Sequence, residues 1–313
     1  MEQKPLIIFD TDMDTDVDDA GALAILLSYV KQGKADLLGV IADGPDRYAP
    51  AACEALCRHY GVTCPIGTVY EADFAETDRF AKYIAQHRYL TPERQYTHML
   101  AGTIGKRDCD YPAAAATYRS LLAGAPDHSV TIVCVGLLTA LDALLRSAPD
   151  EISPLSGIEL VKRKVVRLVS MTNAVYPAVI GKNFNYDMDP LGSEAVVAAM
   201  PVPIHASPDG SAVITGATLS DRLPASHPLR LSYEMYNEGE RRGRSSWDLI
   251  AVLYALEEGS PLFVANARGR LHYEADPLHT YWAAGDRDDR EVRLAVPHEE
   301  MAAIPEELLV KAG

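Results

Sequence analysis

Between Asp10 and Asp19 the chain places six aspartates in ten residues, Asp10, Asp12, Asp14, Asp16, Asp18 and Asp19, directly behind the apolar run Leu6–Phe9. Carboxylates packed this closely repel one another and raise one another's pKa values unless a cation offsets them. A hard divalent metal bound through oxygen ligands is the economical reason for such a loop. The plainer alternative is a helix amino-terminus decorated with acids, in which Asp18 and Asp19 favour the helix dipole and one aspartate caps. That accounts for two or three of the six.

Two known acidic motifs can be compared with this one. A calcium-binding EF-hand loop starting at Asp10 would have Thr15 where the sharp-turn glycine belongs and Gly21 where the bidentate glutamate belongs, so it fails. A haloacid-dehalogenase-type phosphatase is a better rival, because "IIFDTD" is a hydrophobic strand followed by D-x-D. Its pattern wants Thr or Val two residues after the second aspartate, and here that residue is Asp14.

The elements that must position these acids alternate between strand and helix. "PLIIF" (5–9) suits a buried parallel strand, and Ala20, Leu23, Ala24 and Leu27 follow the i, i+3, i+4, i+7 spacing of a helix, which puts the aspartates in a strand-to-helix loop. Further strands are expected at 36–42, 129–136, 164–170 and near 202–207. Helices are expected at 49–61, stopped by Gly61, at 138–149, around 190–200 and from about Ser246 to Leu256. This alternation predicts an α/β fold with a mostly parallel, doubly wound sheet, whose ligands bind beyond the carboxyl ends of the strands. After Pro261 the rhythm changes to short β-like pieces and an acidic last helix, read as a C-terminal appendage (about 258–313) of one domain spanning 1–313. The stretch 71–111 is polar and aromatic-rich and receives no assignment.

Composition narrows the partners. A formal charge of −15 argues against a nucleic-acid backbone or an anionic membrane, both of which need a positive surface. The chain enters "LIIF" directly after "MEQKP", and no segment offers about 18 uninterrupted apolar residues, so neither a standard export signal nor a membrane span is expected. Five cysteines, odd in number and without zinc-ribbon spacing, predict free thiols in a reducing cytoplasm, with Cys53 and Cys57 packed on one helix face.

These residues together resemble the nucleoside hydrolases, the inosine/uridine-preferring N-ribosidases. "IIFDTDMDTDVDDAGAL" is similar to the family's amino-terminal signature, in a longer form with two extra residues before the paired aspartates. "LLGVIADGPDRYAPAACEALCRHYGVTCPIGT" resembles its second strand, ligand loop and helix, and "VTIVCVGLLTALDALL" its "GPLTN" strand and helix. "NFNYDMDP" (183–190) lies where the family has E-F-N followed by D-P, and "GRSSWDLIAVLYAL" resembles the segment supplying the last metal aspartate. The D-T-D…D-D-A element is specific, and the others persuade jointly.

The resemblance implies Ca²⁺-dependent hydrolysis of the N-glycosidic bond of a ribonucleoside, purine or pyrimidine, in a cytoplasmic homo-oligomer, a dimer or a tetramer. Asp12, Asp19 and Asp248 match the family's metal carboxylates, Val135 the residue whose backbone carbonyl joins them, and Asp18 the general base. Asp16 is the alternative base, because the two-residue insertion shifts the register, and Asp10 and Asp14 would be outer hydrogen-bonding groups. Asn185 keeps its ribose-binding counterpart, whereas Asn183 is an uncharged substitute at the 5′-hydroxyl position. Asn173 falls where a polar substrate contact belongs, although a turn asparagine is the plainer reading. Trp247 stands in place of the family's leaving-group histidine, so it cannot supply an acid; it either stacks on a base or packs. None of the nine histidines has metal-ligand spacing, and His87 and His98 lie in the unassigned stretch that could cover the site. Two other readings stay open at this point, the Mg²⁺-dependent dehalogenase-type phosphatase and a non-catalytic descendant that binds a sugar through its metal.

Overall fold

The computed structural model describes residues 4–44, 46–70 and 95–311. Among them the strands are β1 (Leu6–Thr11), β2 (Asp36–Ala42), β3 (Ile66–Thr68), β4 (Val130–Cys134), β5 (Val165–Ser170), β6 (Ala178–Ile180), β7 (Ile204–Ala206), β8 (Ile214–Thr215), β9 (Arg244–Ser245), β10 (Phe263–Glu274), β11 (His279–Ala283) and β12 (Asp289–Leu294). Ten form one sheet in the order β3-β2-β1-β4-β5-β7-β12-β10-β11-β6, and β8 pairs with β9. From β3 to β12 neighbouring strands are parallel, and β10, β11 and β6 add antiparallel pairs. The α/β, mostly parallel sheet expected from the sequence is present.

Both faces of the sheet are covered, which is why its central strands read as unbroken apolar runs. Side chains alternate across a strand, so Ile7 and Phe9 enter the apolar layer on one face and Ile8 the layer on the other. Burying each such side chain contributes roughly 1.5–3 kcal/mol. The first layer holds the helices Asp18–Lys31, Ala49–His59 and Trp247–Leu256. The second holds Ala114–Gly124, Thr139–Arg146, Gly157–Lys164 and Pro190–Ala199. Gly61 has φ +74°, the left-handed conformation that ends its helix. Cys53 and Cys57 are buried, and all five cysteines are free. Among the described residues no helix is long and apolar enough to cross a membrane.

Two differences from expectation matter for the site. β1 does not stop at Phe9; Asp10 pairs in register with Ile41 and Cys134, and Thr11 with Ala42, so these two residues belong to the strand. Only Asp12, Asp14 and Asp16 are left in the loop, since Asp18 and Asp19 form the first turn of the next helix. The segment after Pro261 continues the main sheet: β12 lies parallel to β7 and antiparallel to β10. Residues 71–94 of the unassigned stretch, His87 included, lie outside the described residues, and the helix Tyr96–Gly102 follows them.

Strand order reverses direction at β1, whose neighbours are β2 on one side and β4 on the other. In parallel sheets the crevice at such a reversal, beyond the carboxyl ends of the strands, is where ligands bind. The acidic loop starts at the end of β1.

Candidate active site

A cavity of about 560 Å³ opens at this crevice and is lined by Asp12, Asp18, Asp19 and Asp248, with Val135 beside them. The four aspartates are 1–2% exposed. Asp12 is the first loop residue after β1, the first turn of the Asp18–Lys31 helix delivers Asp18 and Asp19, and the first turn of the Trp247–Leu256 helix delivers Asp248. Neither helix has a side-chain cap; the residue before the first is Val17, so no aspartate serves there as the cap.

Among the described residues, each of the three carboxylates expected to hold a metal keeps one buried oxygen without a hydrogen-bond partner: Asp12 Oδ2, Asp19 Oδ2 and Asp248 Oδ1. A buried unpaired carboxylate oxygen costs free energy, so three in one cavity wall point to a cation. Oxygens of Asp18, Asp19 and Asp248 lie within 4.8 Å of one another, the span a single ion can bridge. Asp12 is outside that tight group and Asp18, the expected base, is inside it. Asp18 Oδ2 accepts the Asp248 backbone N–H at 3.1 Å, and Thr11 donates its hydroxyl to Asp19. Burial, reinforced by mutual repulsion, holds the carboxyls of Asp18, Asp19 and Asp248 well above the usual aspartate range. Burial likewise pushes Asp12 up to about 7.

Asp16, the alternative base, faces the cavity but is committed elsewhere: Arg244 Nε donates to its two oxygens at 2.9 and 2.8 Å. Asp14 and Asp10 do not line the cavity. Asp14 sits at φ 108°, a strained conformation for a residue with a side chain. Its N–H donates to the Tyr96 hydroxyl at 2.9 Å, Thr97 donates to its carboxylate at 3.2 Å, and the Tyr96 hydroxyl donates to the Asp16 carbonyl at 2.6 Å. Asp10 is fully buried beneath the loop and accepts the Tyr118 hydroxyl.

The turn after β4 closes the other side. Its Val135 N–H donates to the Asp10 carbonyl at 2.8 Å, and the Leu137 N–H donates to Asp43 Oδ1 at 2.9 Å. Gly136 lies so close to β1 that a Cβ there would be 2.4 Å from Asp12 N and 2.7 Å from Asp43 Oδ1. The Val135 carbonyl accepts Asn185 Nδ2 at 2.7 Å, tying the 183–185 segment to this turn.

Of the expected sugar contacts, Asn183, Asn185 and Asn173 all line the cavity. Asn183 donates Nδ2 to the hydroxyls of Thr172 and, at 3.3 Å, Thr280, and its buried Oδ1 has no partner among the described residues. Asn173 donates to the Lys182 carbonyl at 3.2 Å. Trp247 forms part of the wall, and its indole N–H donates to Asp209 Oδ1 at 3.1 Å. His98 does not line the cavity and stacks edge-on against Tyr48.

Arg244, Asp43 and Asp209 carry parts of this site that the sequence reading missed. Asp43 has a visible signal, an acid at the carboxyl end of the apolar strand "GVIAD". Arg244 has none, because its partner Asp16 is 228 residues away.

A family model for the inosine-uridine preferring nucleoside hydrolases matches residues 7–300. No curated protein matches the chain. Among solved structures, an inosine-uridine preferring nucleoside hydrolase from Bacillus anthracis superposes with a TM-score of 0.65 at 16% identity, covering 99% of this chain and 100% of that one. A plant nucleoside hydrolase gives 0.68 at 16% identity over 98% of this chain and 99% of that one. A purine-preferring ribonucleoside hydrolase from Gardnerella vaginalis gives 0.63 at 13% identity over 98% of each.

Proposed function

The chain belongs to the inosine-uridine preferring nucleoside hydrolase family, and from that premise we propose that it uses a bound Ca²⁺ to hydrolyse the N-glycosidic bond of a ribonucleoside, releasing ribose and the free base. Family membership leaves the dehalogenase-type phosphatase reading without support. The observation that carries the calcium reading is the set of three unpartnered oxygens on Asp12, Asp19 and Asp248 in one cavity wall. An all-oxygen donor set, with the Val135 carbonyl completing the protein's share, suits a hard cation such as Ca²⁺.

When bound, the cation supplies positive charge that offsets the carboxylate repulsion, acidifies water and takes up sugar hydroxyl oxygens. Asp18, which shares the tight group with Asp19 and Asp248, takes the proton of the water that attacks the anomeric carbon. The sugar becomes cationic as the glycosidic bond stretches, and the surrounding carboxylates favour that charge. Asn183 Oδ1 accepts a sugar hydroxyl, a bond that no group among the described residues fills. Asn185, its amide fixed on the Val135 carbonyl, holds the sugar segment against the ion segment. Trp247 offers its ring to the base.

Ribose release from a panel of purine and pyrimidine nucleosides tests this. Turnover that disappears on chelation and returns with Ca²⁺ is expected. If no nucleoside releases ribose in the presence of Ca²⁺, the proposal fails.

A further inference from the structure

A departing nucleobase carries the electron pair of the broken bond, and something must accept the resulting charge. Trp247 cannot protonate it, and its own N–H is already spent on Asp209. Beside the indole stands Arg244, whose guanidinium carbon is 5.3 Å from the Trp247 ring and 5.6 Å from the Tyr236 ring. Nε and Nη2 of Arg244 both bind Asp16, which fixes the plane of the guanidinium. Nη1 has no hydrogen-bond partner among the described residues, and Arg244 lines the same cavity as Asp18, Asp19 and Asp248.

We propose that Arg244 is a catalytic residue that stabilises the leaving base, donating hydrogen bonds from Nη1 to the ring-nitrogen or carbonyl acceptors of the departing anion; the inference rests on the hydrolase reading above. The C1′–N bond breaks with its electron pair going to the base. The water oxygen bonds to C1′ while the water proton passes to Asp18. The base anion, held by Arg244, then takes a proton from solvent, and Asp18 returns its own to solvent, so the sum is nucleoside plus water giving ribose plus base. Arg244 keeps its protons throughout, since a guanidinium does not deprotonate in proteins. Asp16 reinforces this by holding Arg244 above its ordinary range. A preorganised donor of this kind acts where charge develops.

The test compares two substrates in one variant. Inosine has a poor leaving group that needs the hydrogen bond, whereas p-nitrophenyl riboside has one that leaves unaided. Arg244→Gln is expected to lower kcat for inosine by about 10²-fold, the usual worth of one such donor. Its kcat for p-nitrophenyl riboside should stay within about threefold, which also reports that the variant folds. Dissolved guanidinium should restore part of the inosine turnover in Arg244→Gln and none in the wild type. Arg244→Lys, which keeps the charge and loses the planar fork, should fall between the two. Equal losses on both substrates in both variants, with the circular dichroism unchanged, would overturn this inference and leave the hydrolase reading standing. A wild-type protein that cleaves neither substrate overturns both.

Discussion

Two buried acidic regions of this molecule are built on opposite principles. Asp289, at the start of β12, is fully buried and completely served. It accepts Arg287 Nε at 2.7 and 2.9 Å and Nη2 at 2.8 Å, the Ile204 N–H at 2.7 Å and the Leu271 N–H at 2.7 Å. Arg287 also donates to the carbonyls of Val197 and Met200, both at 2.9 Å, so the pair bolts the antiparallel end of the sheet to the parallel end. The aspartates beyond β1 are equally buried, yet Asp12, Asp19 and Asp248 each leave an oxygen unserved. Burial alone therefore does not mark a functional acid, and neither does one unserved oxygen, which Asp10, Asp43 and Asp46 also carry; several unserved oxygens in one cavity wall do.

Exchanging the acids tests this most sharply. Asp289→Ala should destabilise the fold by about 3–5 kcal/mol, because it strands the Arg287 guanidinium in the interior. Asp248→Asn should leave the chelated protein as stable as the wild type or more stable, since it removes repulsion, while abolishing Ca²⁺ binding and turnover. Chemical denaturation with and without chelator reads both effects. If Asp248→Asn unfolds the chelated protein as Asp289→Ala does, the two regions do not differ in kind.

Within the acidic loop, Asp18→Asn should reduce kcat about 10²-fold or more with Ca²⁺ still bound, the size of a general-base contribution. A larger loss from Asp12→Asn, again with the ion retained, would exchange the two roles. Asp16→Asn should instead act through Arg244.

A pH series separates the regions by sign. Asp10 and Asp12 titrate near 7 in the fold against 3.8 for an ordinary aspartate, chiefly because they are buried. The folded protein thus binds more protons than the unfolded chain between those values. Stability in chelator should be greatest below about pH 4 in this contribution and decline as pH rises through 7. Added Ca²⁺ should flatten or reverse that slope, because it binds the deprotonated carboxylates. Thermal unfolding across the range checks it; a chelated protein that gains stability between pH 4 and 7 would contradict it. The smallest effect expected is that of Asn183→Ala, a rise in KM of about tenfold or less with kcat little changed, as befits one neutral hydrogen bond.

Most of what positions the cavity-lining acids was legible in the sequence. The apolar strand, the D-T-D and D-D-A acids and the helical spacing after Asp18 are local signals, and the fold follows their alternation. The apolar run ends at Phe9 and so does not show that Asp10 belongs to β1, where Tyr118, 108 residues away, donates to one of its oxygens. The continuation of the sheet through β12 depends on a pairing with β7 across some eighty residues of chain, which periodicity cannot show. The Asp16–Arg244 pair was hidden for the same reason. One local signal went unused: Ser156 and Glu159 form an S-x-x-E capping box, with the Ser156 N–H donating to the Glu159 carboxylate at 2.8 Å, and it opens the helix Gly157–Lys164.

The missing side chain at Gly136 governs how this molecule can diverge. A single methyl group there would strike the backbone at Thr11 and Asp12, so every substitution at this position is also a displacement of the acidic loop. Gly61, where a Cβ would meet nothing within 4 Å, is limited by its backbone angle alone. In a saturation library, position 136 should therefore lose turnover with alanine, the mildest replacement, and recover it only through compensating changes in the 10–19 loop. The two segments are bound to drift together, and a lineage that altered the loop's length could do so only while keeping this crossing bare.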